Sequence, residues 1–188
     1  DYTKSQWQAS PLLGKQDDTN SMSSNSELIL NPSDHQDVVG SVLEATTEQV
    51  DLALDQAMLA QAAWSTLAVT ARADILFKAA DLMEARIQEL MVLLCRESGK
   101  TYANGIAEVR EAVDFMRYYA SQIQSIQTDG PVKALGTVLC ISPWNFPLAI
   151  FSGQISAALA VGNCVIAKPA EQTPLIASEA VKILWQAG

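Results

Sequence analysis

The last third of the chain constrains the fold most. Leu135-Gly136-Thr137-Val138-Leu139-Cys140-Ile141 is a continuous apolar, β-rich run, and Cys164-Val165-Ile166-Ala167 is a second. Runs without polar alternation are expected of strands buried on both faces of a parallel sheet. Pro143-Trp144-Asn145-Phe146-Pro147 cannot continue the first strand and predicts a loop. Leu148 to Val161 then predicts a helix ended by Gly162-Asn163, and a final helix is expected from Thr173-Pro174, with Pro at its first position, to Ala187-Gly188. Strand, helix, strand, helix reads as a right-handed parallel βαβ unit, an α/β pattern. Such a unit needs further strands beside it. The sheet is therefore expected to be open-ended, with strand edges that invite self-association. The start at Asp1 and the abrupt end at Gly188 read as a piece of something longer.

The region before residue 131 has another character. Residues 131–188 carry three lysines against two acids, whereas the whole chain, with 12 Lys+Arg and 21 Asp+Glu, has a formal charge of -9. The acidic excess therefore lies in the first 130 residues. A chain this acidic is a poor nucleic-acid binder, because phosphate neutralisation needs a cationic face, so no nucleic acid is expected as a partner. Residues 1–26 are dominated by Ser, Asn and Asp from Gln16 onward and read as a flexible linker, with Trp7, Leu12 and Leu13 able only to dock locally. Residues 27–44 read as a hairpin turning at Asn31-Pro32-Ser33-Asp34, with His35 as a surface residue of the turn. Three long helices are expected over the rest of residues 27–130. The first is capped by Thr46 with Gln49, and Val50, Leu54, Ala57 and Trp64 form its apolar side. The second runs from a Thr70 cap to about Ser98, on a stripe of Ile75, Ala79, Leu82, Leu90 and Leu93 broken only by Arg86, and Gly99 stops it. The third follows Thr101 and repeats Tyr102, Ile106, Val109, Val113, Met116, Ala120 and Ile123, a pattern better suited to an intradomain packed helix than to a coiled coil.

Hydrophobic residues make up 49% of the chain, enough for a packed core. Cys95, Cys140 and Cys164 are odd in number, far apart and in apolar settings, which excludes a disulfide framework and favours a reducing cytoplasm. No apolar run reaches the length of a membrane span, and no metal-ligand cluster is apparent.

In open α/β sheets ligands bind at the carboxyl ends of the strands. Ser142 to Pro147 and Lys168-Pro169-Ala170-Glu171 fall there. Asn145 offers an amide donor from a stiff, doubly proline-flanked loop, which suits a developing oxyanion. Lys168 and Glu171 are spaced to grip vicinal ribose hydroxyls as donor and acceptor. The same residue types also serve as a helix cap and a surface ion pair. No GxGxxG fingerprint follows either strand, so a glycine-loop pyrophosphate site is not supported.

Ile141-Ser142-Pro143-Trp144-Asn145-Phe146-Pro147-Leu148 and Lys168-Pro169-Ala170-Glu171-Gln172-Thr173-Pro174, with Gly153, Ala157-Ala158-Leu159-Ala160 and Gly162-Asn163 between them, closely resemble the cofactor-domain motifs of the NAD(P)-dependent aldehyde dehydrogenase superfamily. Arg96-Glu97-Ser98-Gly99-Lys100-Thr101 and the segment from Ala107 to Ala120 narrow the resemblance to the pyrroline-5-carboxylate (L-glutamate γ-semialdehyde) dehydrogenase module of the bifunctional proline utilization A (PutA) family, over about residues 27–188. The resemblance implies an incomplete aldehyde dehydrogenase fold: hairpin and helices over 27–130 leading into the first βαβ unit of a Rossmann-like NAD-binding sheet over 131–188.

It also implies a reaction and its residues. A cysteine thiolate attacks the aldehyde, the thiohemiacetal passes hydride to NAD, and water releases the acid. Asn145 matches the residue whose amide holds the thiohemiacetal oxygen. Ile141, Ser142, Pro143 and Trp144 match the loop lining the cofactor cleft, and Lys168 with Glu171, in the segment Lys168-Pro169-Ala170-Glu171, matches the ribose-binding pair. Glu171 would repel a 2′-phosphate, which favours NAD over NADP. Phe146 is expected as a pocket wall, Gly153 as room for a polar substrate, and Glu111 as the partner of the semialdehyde's ammonium, with a plain exposed helix residue as the alternative. The family's catalytic Cys and general-base Glu lie in a later half absent from these residues. None of the three cysteines substitutes, so the chain alone is expected to be inactive. An FAD-dependent proline dehydrogenase upstream and a homo-oligomeric parent are further implications. Succinate semialdehyde or another small aldehyde is the alternative substrate, and a non-catalytic nucleotide-binding or interaction module the alternative class.

Overall fold

The computed structural model describes residues 2–13, 26–126 and 133–188, so the polar stretch from Gln16 to Asn25 lies outside the described residues. The expected hairpin is present: β2 (Glu27–Asn31) runs antiparallel to β3 (Asp34–Val42). The Asn31 side chain accepts from the Ser33 amide at 2.9 Å and shapes the turn. His35 lies in β3, exposed, not in the turn.

The lead-in contains an element that its composition hides. Trp7–Ala9 forms β1, which joins β3 in parallel and completes a sheet of order β1-β3-β2. A three-residue strand has no periodicity to detect; it is held by side chains instead. The buried Trp7 indole donates to Glu89, and the Arg96 guanidinium lies 5.5 Å from its ring centroid. Arg96 also grips Asp37 through two nitrogens at 2.6 and 3.0 Å, holding that carboxyl below its ordinary range, and donates to the Ser5 and Val38 carbonyls. Close approach of β1 requires glycine at position 40, where a Cβ would stand 2.1 Å from the Trp7 carbonyl oxygen. Gly40→Ala is expected to cost about 1–3 kcal/mol by overpacking. It should lower the denaturation midpoint of the full-length protein and quicken proteolysis around residues 5–10; an unchanged midpoint and digest would contradict this.

Four helices follow, not three. α1 (Thr47–Thr66) carries the expected capping box of Thr46 with Gln49. Its expected apolar side is not its packed side: Val50 and Leu54 are exposed, and only Ala57 and Trp64 are half-buried. The helix is held to β5 by polar groups. Gln61 donates to the Gly162 carbonyl at 2.8 Å and accepts from the Cys164 amide at 2.7 Å, and the Trp64 indole donates to Leu159 at 3.1 Å. The second expected helix divides into α2 (Val69–Ala85) and α3 (Ile87–Ser98) at Arg86, where φ is -99° and ψ 15°. Neither Pro nor Gly marks the break. Arg86 turns out to pair with Glu89 at 2.7 Å and Glu179 at 2.6 Å. α2 also starts before Thr70, on Ala68, without a side-chain cap. α3 does stop at Gly99, whose φ of 68° is left-handed.

α4 (Tyr102–Ser125) packs within the domain against α2, α3 and α5. Val109, Val113, Met116 and Ala120 are buried, whereas Tyr102 and Ile106 of its expected stripe are exposed. β4 (Thr137–Ile141), α5 (Ala149–Ala160), β5 (Cys164–Lys168) and α6 (Pro174–Ala187) form the expected βαβα series, with β4 and β5 parallel. The buried Asn163 side chain fastens its entry, accepting from the Leu135 and Gly136 amides and donating to the Ala158 carbonyl. One strand expectation fails. Cys140 is buried, but Leu139 and Ile141 on the opposite face are 59% and 58% exposed. Pleating sends alternate side chains to opposite faces, and here that second face is uncovered.

Candidate functional site

Two loops leave the carboxyl ends of β4 and β5. The ladder extends to the pair Ile141–Lys168, and the Ser142 amide adds a bond to the Lys168 carbonyl at 3.2 Å. The loops therefore start side by side at one edge, as expected. In the first, Ser142 is buried and Pro143 half-buried, while Ile141, Trp144, Asn145 and Phe146 are exposed. In the second, Pro169 and Ala170 are half-buried, and Lys168 and Glu171 are exposed. Lys168 donates to the Pro169 carbonyl at 3.0 Å, and among the described residues it forms no ion pair with Glu171. A charged donor and a charged acceptor thus stand open at a strand exit.

Asn145 does not cap the next helix, because Leu148 is the N-cap of α5 and makes no side-chain bond. The free amides of that helix go elsewhere. Glu108 of α4, 2% exposed, accepts from the Leu148 and Ala149 amides at 2.8 and 3.3 Å through one oxygen. Its other oxygen is 2.9 Å from the Lys100 ammonium, which supplies the charge partner of this buried oxygen. The second loop is backed in the same way. Thr173 makes no cap bond at α6; Glu97 of α3, 4% exposed, accepts from the Leu175 and Ile176 amides at 2.6 and 2.9 Å. Burial pushes the Glu97 carboxyl up to about 8, and the two amide bonds pull the other way. Each candidate ligand loop is thus followed by a helix whose N-terminus is closed by a buried glutamate from the helical flank. Sequence reasoning missed Glu97, Lys100 and Glu108 as parts of the site. The available signal was an acid on an apolar stripe, Glu97 after Leu90 and Leu94, and Glu108 between the buried Gly105 and Ala112.

Glu111 is exposed on α4 and lines an open cleft of about 560 Å³ with Ala107, Arg110, Asp114, Phe115 and Tyr118. Neither Asn145 nor Phe146 is among its walls. Phe146 instead lies under the Lys100 ammonium, 4.8 Å from ring centroid to nitrogen. Gly153 does not leave open space, because a Cβ there would be 3.0 Å from the Phe115 ring. The glycine admits an aromatic side chain. Burial raises the thiols of Cys95, Cys140 and Cys164, which makes all three poor nucleophiles. Among the described residues no group of three or more His, Cys, Asp or Glu could hold a metal ion, and no helix is long and apolar enough to cross a membrane.

The chain belongs to the aldehyde dehydrogenase family, whose pattern it matches over residues 19–188. It is 51% identical over 182 residues to the bifunctional protein PutA of Escherichia coli (strain K12), covering 97% of this chain and 14% of that one. It is 39% identical over 171 residues to the 1-pyrroline-5-carboxylate dehydrogenase of Anoxybacillus flavithermus, covering 85% of this chain and 33% of that one. A crystal structure of 1-pyrroline-5-carboxylate dehydrogenase from Thermus with bound NAD matches 88% of this chain and 35% of its own, with a TM-score of 0.82 and 36% identity. The chain thus spans a seventh to a third of the length of these relatives.

Proposed function

We propose that this chain is the N-terminal part of the NAD-binding domain of an enzyme that oxidises L-glutamate γ-semialdehyde to L-glutamate in proline catabolism. The observation that carries the reading is the pair of adjacent loops at the β4–β5 edge, in a chain whose similarity reaches both PutA and dedicated 1-pyrroline-5-carboxylate dehydrogenases. The residues present fit NAD. Lys168 has donors to spare beyond its one carbonyl bond, and the exposed Glu171 carboxylate can accept from a ribose hydroxyl while opposing a 2′-phosphate. Ile141, Ser142, Pro143 and Trp144 border the cofactor, with Pro169 and Ala170 shaping the second loop. Bound NAD would supply the hydride acceptor. Asn145 donates its amide to the oxygen that becomes negative as the aldehyde is attacked, and Phe146 walls that site. The attacking thiolate and the general base come from outside these 188 residues, so the isolated chain has no turnover. An FAD in a separate upstream domain, a homo-oligomeric parent and a cytoplasmic location complete this reading. Residues 27–130 serve as its helical flank and 131–188 as the start of its sheet.

Glu111 pairs with the substrate's ammonium across the α4 cleft. Loss of a hydrogen-bonded charge pair costs about 1.5–3 kcal/mol, so Glu111→Ala in the full-length protein should raise KM for glutamate semialdehyde by roughly 10- to 100-fold. KM for succinate semialdehyde, which has no ammonium, should not rise. Steady-state assays with NAD and NADP test the whole reading. Faster turnover of succinate semialdehyde than of glutamate semialdehyde by the unaltered protein would reject it, and an unchanged KM in the variant would reject the role of Glu111.

A further inference from the structure

We propose that Lys100 is a positioning residue for Asn145, acting from the loop between α3 and α4 through the main chain of the β4–α5 loop. The inference rests on the reading of Asn145 as the oxyanion donor. Lys100 Nζ donates to the Asn145 carbonyl oxygen at 2.7 Å, stands 2.9 Å from a Glu108 carboxylate oxygen, and lies over the Phe146 ring at 4.8 Å. Three contacts from one ammonium thus fall on Asn145, on its neighbour in sequence, and on the carboxylate that closes α5.

The chain of contacts has a direction. Gly99, in its left-handed conformation, ends α3 and turns the chain so that Lys100 follows at once. Thr101 then caps α4, its side chain accepting from the Asn104 amide. Lys100 therefore projects from a short connection fixed at both ends. Glu108, nearly two turns into α4, is buried and is itself fixed by the Leu148 and Ala149 amides at the start of α5. An ammonium held by a buried carboxylate is a stiff donor, and its side-chain exposure of 14% leaves little water to compete. Asn145 is exposed, and among the described residues no main-chain bond ties its loop to the sheet after Ser142. Aim of the Asn145 side chain is set by its main chain, and its carbonyl is the atom that Lys100 holds. A ladder bond fixes the loop's start and Glu108 fixes its end; Lys100 fixes the middle.

A positioning error of about 1 Å can cost 10²-fold in rate. Lys100→Met in the full-length protein keeps the stem over Phe146 and removes the donor. It should lower kcat about 10- to 100-fold while KM for NAD changes little, because Lys168 and Glu171 lie on the other loop. Lys100→Arg, which keeps a charged donor, should recover part of the loss. The deciding measurement is a double-mutant cycle with Asn145→Ala. If Lys100 acts through Asn145, Lys100→Met has little further effect on kcat once the amide is gone. Equal fold-losses in both backgrounds, or a lower melting temperature with unchanged kcat, would overturn the proposal. Should Lys100→Met fail to fold, Lys100→Gln, which keeps a neutral donor, takes its place in the same cycle with the same criteria. Failure of the underlying reading looks different: Asn145→Ala alone would then leave kcat unchanged.

Discussion

Asn145→Ala in the full-length protein is expected to lower kcat about 10²- to 10³-fold, the loss typical when one preorganised oxyanion donor is removed. The effect should fall on turnover and not on folding. The side chain is exposed, it does not cap α5, and Glu108 already satisfies the first amides of that helix. NAD binding should persist, because Lys168 and Glu171 reside on the neighbouring loop. Asn145→Asp sharpens the test. It keeps the shape but places a carboxylate against a developing negative oxygen, so the loss should be at least as large as for alanine. Single-turnover reduction of NAD, read by absorbance, isolates the step. A kcat within experimental scatter of the unaltered protein would remove Asn145 from the chemistry.

The second large effect concerns Glu97 and stability. Glu97→Ala leaves the Leu175 and Ile176 amides buried without an acceptor, a cost of about 2–5 kcal/mol. The same residue makes stability depend on pH in an uncommon direction. Its folded carboxyl stays protonated until about 8, whereas in the unfolded chain it ionises near 4.5. Between those values the folded state binds one more proton than the unfolded state. Raising the pH therefore favours unfolding through this group, by up to about 1.4 kcal/mol per pH unit, and above pH 8 its contribution is constant. Glu97→Gln cannot titrate. Denaturant midpoints measured from pH 5 to 9 should give a stability difference, native minus variant, that falls across the window and then levels. A difference that rises with pH, or stays flat, would show that Glu97 is ionised at the α6 terminus throughout.

The βαβα series was legible because each of its elements is bounded by strong local chemistry: Gly162-Asn163 ends α5, and Pro174 opens α6. The loops that follow β4 and β5 were legible for the same reason, and their adjacency followed from parallel pairing. Other features were settled by contacts distant in sequence. β1 exists because Trp7 meets Glu89 and Arg96, about 80 to 90 residues away, and no window around residue 7 contains those partners. Arg86, at the break between α2 and α3, likewise pairs with Glu179, which is distant in sequence. The packed side of α1 was misjudged because the amide of Gln61, not an aliphatic group, meets the main chain at the start of β5. Glu97 and Glu108 left no more signal than an acid on an apolar stripe, because their partners are backbone amides of α6 and α5, which any sequence supplies.

The placement of β1 also orders events during synthesis. Its strand pairs with β3, but its packing is finished by α6, where Lys182 reaches the Gln8 carbonyl across 174 residues. At translation rates of 5–20 residues per second, about 10–35 s separate the appearance of these two groups. Throughout that interval Trp7 is already made while part of its shelter is not. An aromatic residue on a half-built sheet edge exposes apolar surface, so β1 should need protection until α6 has emerged.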